Sequence, residues 1–476
     1  MSSQNSHVHR RSSRRRVGLP SMLVYLSTIR SCSTFVLGPK HKSIDSFSLD
    51  VVAAQYPETR LFSSSFNPND LETPEERKER MLLVRKIQDS FYLGESESLV
   101  VPSCDDITVL ENVPLWRVQW TELPGYQNIL NCHVPHYTHM FRRILSGEQP
   151  WLFGHVFLPE GSANLSNPDF GLPNKLQSSA TSDATLVGTL MRISDYEELE
   201  DGRLVLIVQA LDRFQILFAT QHVPYAIATI QLEPDQELVE RLSDGFNDSD
   251  AARKAAVQQA SLWKDWEFRP TRFERADFGN AVGGVSPLVN YDADFDWQTN
   301  FESVDRQDGI SYLQLPQEAM NGGTSNIFSL HVLQLEHKVW VELDRMLRLL
   351  TLINPGLQIP VPSQMLGLLP SPSEVGLEWP LGFLLEEYVE KLISVKAEIG
   401  TVTKSPLVLV SSIPNYPWLR RAQRLSYVVW ILLESIGDSP GKQEILEETS
   451  IARRLQLAIQ KLEGLNESLQ GVLSQN

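Results

Sequence analysis

The sequence is poor in cysteine, in positive charge and in long apolar runs, and each shortage excludes a class of protein. It has three cysteines in 476 residues, Cys32, Cys104 and Cys132, none spaced as C-x-x-C. A four-cysteine zinc ribbon, a RING and a disulfide framework are therefore excluded, and a reducing compartment is expected. No stretch reaches 18 consecutive apolar residues, so no transmembrane helix is expected. Lys and Arg number 42 against 59 Asp and Glu, a net charge of −17. That balance argues against a nucleic-acid binder, whose phosphate contacts need clustered basic residues.

Catalytic motifs are missing too. There is no G-x-S-x-G elbow and no H-E-x-x-H. The segment from Gly437 to Lys442 has Walker-like letters but one residue too few between its glycines, and Gln443 stands where a magnesium-binding Ser or Thr is needed. Ser286, beside Gly283-Gly284, sits in a flexible context unsuited to a nucleophile. His133, His136 and His139 recur every three residues, but Pro135 divides them between a strand and a helix, so they make no metal site. Asp292, Asp294 and Asp296 open like a calcium loop, but Trp297 and Ser303 occupy the positions that require Gly and Glu. No catalytic residue, metal or cofactor is expected, and the chain reads as a non-enzyme.

What is present falls into segments. Residues 1–44 carry eight Lys or Arg and no acid; without them the other 432 residues carry −25. Arg14 to Arg16 precede a short apolar stretch, Leu19 to Ile29, and then Ser31 to Phe35. This is the composition of an organelle transit peptide. Residues 1–70 are read as a basic leader, addressed to a plastid or alternatively a mitochondrion, and 71–105 as a linker helix in which Leu83, Ile87 and Phe91 share a face.

Residues 106–235 hold seven short apolar runs separated by Gly, Pro or Asp, the pattern of an antiparallel barrel or sandwich. Residues 236–324, acidic and glycine-interrupted, read as an insertion, partly disordered, with a helix at Ala251 to Trp263. Residues 325–473 turn helical. Val332, Leu335, Val339, Leu343, Met346 and Leu350 make one stripe, and Ile451, Leu455, Ala458, Leu462, Leu465, Leu469 and Val472 another. These faces bury one another in a bundle, or the last helix presents a seam for self-association. Of the tryptophans near the barrel, Trp116, Trp120, Trp151 and Trp263, most should be core. An exposed pair would suit polypeptide binding.

With these residues laid out, the chain resembles the N-terminal substrate-binding domain of Lon proteases. The resemblance rests on Val113-Pro114-Leu115-Trp116, on Leu123-Pro124-Gly125, on Val134-Pro135-His136-Tyr137, and on Phe153-Gly154-His155-Val156. It continues through Val187-Gly188-Thr189, Asp201-Gly202-Arg203, Asp212-Arg213-Phe214 and Pro224-Tyr225-Ala226. In the helical half it rests on Tyr416 to Arg421, Leu425-Ser426, Lys442 to Glu447 and Arg453-Arg454-Leu455. The family's glycine before Arg-Phe is Ala210 or Leu211 here.

Each match has a physical task. Gly188 permits close strand packing, Asp201-Gly202 turns the chain, and Pro124-Gly125 turns it again. Arg213 meets a carboxylate while Phe214 enters the core. The resemblance implies an α+β fold, a PUA-like β pseudo-barrel followed by an α-helical bundle, in a stand-alone form without the family's ATPase and peptidase modules. It implies polypeptide recognition, as an adaptor in organellar proteolysis or quality control. The partners are polypeptide clients or a protein partner, with no nucleic acid and no membrane span. The alternatives are an assembly factor gripping a partner through the C-terminal helices, and, from the barrel type alone, an RNA binder.

Overall fold

A computed structural model describes residues 106–175, 183–243, 248–267, 324–354, 363–371, 378–387, 416–433 and 441–474, with a few isolated positions and short pieces among 78–87, 101–102, 361, 374, 389 and 409–412. The basic leader, Ser286, the aspartates at 292–296 and most of the acidic segment lie outside the described residues.

Among the described residues, seven strands form one mixed sheet: β1 (Val101–Pro102), β2 (Val109–Val118), β3 (Gln127–Cys132), β4 (Leu152–Phe157), β5 (Val187–Glu198), β6 (Leu204–Gln221) and β7 (Ala226–Leu232). β2 pairs in parallel with β4, and the other pairings are antiparallel. The chain of pairings β2–β4–β5–β6–β7 returns to β2, so five strands close a barrel. Closure removes the open edges that an unpaired sheet would expose. The parallel β2–β4 pair needs a crossover, and β3 with α1 (Pro135–Leu145) supplies it.

The two apolar runs at 204–208 and 214–218 prove to be one strand of 18 residues. β6 serves two neighbours in succession: its first half pairs with β3 and its second with β7. Bulges bend it. One falls at Leu211, where β5 pairs Leu190 with Asp212 and then Met191 with Ala210. This bulge forms without a glycine.

Strand alternation sorts the side chains into two cores. Val113, Leu115, Val156, Leu190, Phe214, Ala228 and Ile230 fill the barrel. Trp116, Phe153, Met191, Leu206 and Val208 face the other way, onto Tyr137, Met140, Phe141 and Ile144 of α1. Glycines allow the close approach inside the barrel: a Cβ on Gly154 would lie 2.6 Å from Leu115 Cδ2, and one on Gly188 2.6 Å from the Phe214 ring.

The helices are α2 (Gln236–Ser243), α3 (Ser249–Glu267), α4 (Thr324–Ile353), α5 (Ser363–Leu366), α6 (Trp418–Leu433), α7 (Lys442–Glu447) and α8 (Ile451–Leu473). α4 and α8 lie side by side. The pairs His331–Gln456, Lys338–Glu463 and Glu342–Asn466 advance together along both, so they run parallel. Both apolar stripes are consumed within the chain: Val339, Trp340, Leu343, Leu455, Leu462 and Leu469 are buried in one helical core. The self-association seam is thereby corrected, because α8 spends that face on α4 and α6.

Within the segment read as an insertion, the helix expected at Ala251 to Trp263 is α3, and α2 precedes it. Residues 236–243 and 248–267 form docked helices, with Ala252, Ala256, Val257 and Trp263 buried on α3. Alanine gives a weak apolar stripe, so its pattern understated the packing.

Candidate functional site

The junction of barrel and bundle is built from charge. α6 carries Arg420, Arg421 and Arg424, all buried. Arg420 and Arg424 both grip Glu267 at the end of α3, with Nε–Oε distances of 2.8 and 3.0 Å. Burial alone would raise the Glu267 carboxyl, but the two guanidinium groups outweigh it and hold it at about 2. Tyr416 donates to the same carboxylate at 2.7 Å. Arg424 also donates to the Leu211 carbonyl, at the bulge of β6, at 2.8 Å. On the far side of α6, Arg421 bonds Glu336 of α4 and Glu374. Glu336 is so deeply buried that its carboxyl is raised even beside that cation.

A second centre lies at Asp235, between β7 and α2. Arg454 of α8 donates to both its oxygens at 2.9 and 2.7 Å, Gln423 of α6 donates at 2.6 Å, and Arg213 of β6 stands at 3.4 Å. Burial opposes the charge on Asp235, and Arg454 and Arg213 overcome it, so its carboxyl is lowered. The Arg454 guanidinium also lies 3.9 Å above the Tyr427 ring. The cavity between these groups holds about 20 Å³, room for a water but not for a peptide. This junction is a weld.

The signature residues serve the weld and the turns. Arg213 donates to the carbonyls of Leu446 and Glu448 as well as facing Asp235, tying β6 to α7. Gly125, at φ +94°, turns under Arg424 and Val428. Asp201 accepts from the Arg203 amide and Nε around Gly202, at φ +86°. The Tyr137 hydroxyl clamps the backbone of Arg117, donating to its carbonyl at 2.8 Å and accepting from its amide at 3.2 Å. Leu115 and Phe214 are fully buried, Pro114 pairs with Ile227 in the ladder, and Pro224 follows a cis peptide. The structure brings Gly125 and Arg213 to the junction and Phe214 into the barrel; Asp201, Gly202 and Arg203 sit apart, on the β5–β6 turn.

The open candidate surface lies at the end of β2. Trp120 is 39% exposed. Its ring meets Trp116 edge-on at 5.2 Å and lies 5.8 Å from His155. Its indole N–H donates to Glu122, which also accepts from Asn128. Behind it, burial, with the nearby Lys442 charge, lowers His155 to about 3, so the ring is neutral. Trp151 and Tyr196 make another edge-on pair at 5.7 Å, with Tyr196 exposed. A rigid indole with one face wet and its N–H already fixed is an apolar anchor with little entropy left to lose.

No group of acids, histidines or cysteines that could hold a metal occurs among the described residues. The His136 ring instead packs on Tyr137 and that of His139 near Tyr225. No described helix is long and apolar enough to cross a membrane. The weld partners Asp235, Glu267 and Arg454 were not singled out as site residues from sequence, and neither was Trp120 as the exposed indole. A signal that points toward them is the crowding of Arg420, Arg421 and Arg424 onto one helix.

The family model for the ATP-dependent protease La (LON) substrate-binding domain matches residues 121–464. No curated protein matches the chain. Among solved structures, a Lon N-terminal domain protein from Xanthomonas campestris is 17% identical, covering 41% of this chain and 97% of its own, with a TM-score of 0.18. The N-terminal domain of a Mycobacterium avium complex Lon protease is 12% identical, covering 32% and 89%, with a TM-score of 0.17.

Proposed function

Because the chain belongs to the family of Lon substrate-binding domains, matched over residues 121–464, we propose that it recognises polypeptides without acting on them chemically, as an adaptor in organellar proteolysis or quality control. The observation that carries this reading is Trp120, a half-open indole braced by Trp116 and His155 on the rim of a welded scaffold. Aromatic anchors of that kind supply most of the energy in protein recognition. The basic, acid-free residues 1–44 support an organellar address, plastid before mitochondrion. Fusing residues 1–70 to a fluorescent reporter tests the address, and a diffuse cytosolic signal would refute it.

The role is tested by co-purification from the organelle, with ATPase and casein-degradation assays on the same preparation. Varied unfolded clients and two blank assays are expected. One stoichiometric partner would move the reading to an assembly factor, bound RNA to an RNA binder, and turnover in either assay would overturn it.

A further inference from the structure

Arg117, on β2, is a buried cation without an anion. Its side chain is 6% exposed, yet among the described residues it forms no ion pair. It makes one side-chain hydrogen bond: Nη2 donates to the Phe170 carbonyl at 2.6 Å. Its Nε is buried with no acceptor. The other buried guanidinium groups, those of Arg213, Arg420, Arg421, Arg424 and Arg454, each meet a carboxylate. A buried guanidinium that keeps its charge is costly unless it is paired. Burial accordingly lowers the tendency of Arg117 to hold its proton.

Nε and Nη2 form one edge of the guanidinium fork, the edge a carboxylate takes with two parallel hydrogen bonds. The Tyr137 hydroxyl fixes the backbone from which this edge projects. What covers it is a short turn, Pro168–Phe170, in a loop that starts at Glu160 and Gly161 with positive φ. Asp169, on that turn, is exposed. A neutral carbonyl is a weaker partner than a carboxylate and is exchanged for one at little cost.

We propose that Arg117 is the receptor for a carboxylate of the bound polypeptide, admitted when the Pro168–Phe170 turn gives up its carbonyl contact. The net charge of −17 disfavours a dianionic phosphate, whereas one guanidinium edge matches one planar monoanion. The inference rests on the polypeptide reading for the source of the carboxylate, but not for the chemistry of the site.

The test compares the full chain with Arg117→Met, using acetate and then a peptide with a free C-terminus, its C-terminal amide, and the amide carrying one internal Glu. Acetate, against chloride at equal ionic strength, should raise the melting temperature of the unsubstituted chain and leave Arg117→Met unmoved. One of the two carboxylate-bearing peptides should bind about tenfold more tightly than the plain amide, the share of a charge-assisted pair. Arg117→Met should abolish that preference while melting no lower, because it removes an unpaired charge. If peptides bind with no carboxylate preference and acetate does nothing, the site is refuted and polypeptide recognition stands. If acetate acts but no peptide binds, the site stands and polypeptide recognition falls. If neither acts, both fall.

Discussion

At the scale of the residue, the sharpest expectations concern groups that have no room or no alternative partner. A Cβ on Gly188 would lie 2.6 Å from both the His155 carbonyl and the Phe214 ring, whereas Gly464 of α8 has nothing within 4 Å. Gly188→Ala should therefore cost about 1–3 kcal/mol by overpacking. Gly464→Ala should gain up to about 1 kcal/mol from helix propensity. Urea unfolding of the two variants checks the opposite signs. Removing Arg454 leaves Asp235 with Arg213, Gln423 and the Tyr427 hydroxyl; Arg454→Ala should cost about 3–5 kcal/mol by the same measurement. Burial pushes the His155 imidazole down to about 3 in the folded chain, against an ordinary value of 6.5. Between these values the unfolded chain binds the extra proton, so stability falls as pH drops from about 6.5 toward 3. His155→Phe should flatten part of that slope, read as unfolding midpoints at pH 7.5 and 5. Much at this scale was legible. Gly188, Gly202 and Phe214 announce themselves by residue type, and Arg213 was expected to meet a carboxylate. Arg117 and Trp120 were not singled out, because burial without a partner and exposure of one tryptophan among several are set by the closed barrel, not by neighbouring letters.

At the scale of the element, α6 is the hub, reaching α3 through Glu267 and α4 through Glu336. The clasp on Glu267 gives α3 its attachment. Glu267 is held near 2 against an ordinary value of 4.5, so its contribution is complete above 4.5 and is lost as pH falls from there toward 2. Glu267→Gln should remove that acid dependence and free α3. Amide exchange across residues 249–267 should rise more than across α8, and uniform exchange in both helices would contradict the clasp. The stripes of α4 and α8 were plain in the sequence because large apolar residues recur at helical spacing. The helix of α3 is legible in the sequence, but its docking is not, because the partners of Glu267 lie about 150 residues away. The single strand β6 looks like two runs in the sequence because the bulge at Leu211 interrupts the alternation.

At the scale of the molecule, β6 and β7 reach α6, α7 and α8 through Arg213 and Asp235, so the barrel and the bundle should unfold together. Calorimetry should show one transition from the described core, and two well-separated peaks would contradict the weld. Such a scaffold holds its surface in one shape, which is what makes a fixed indole useful. On the proposed function, this surface binds polypeptide chains. The most direct measurement is fluorescence anisotropy of a labelled, permanently unfolded polypeptide titrated with the full chain and with Trp120→Ala. Saturable binding is predicted, weakened by about 1–2 kcal/mol, roughly five- to thirtyfold, when the indole is removed. Absence of binding to the unsubstituted chain, or equal affinity for both, would contradict it.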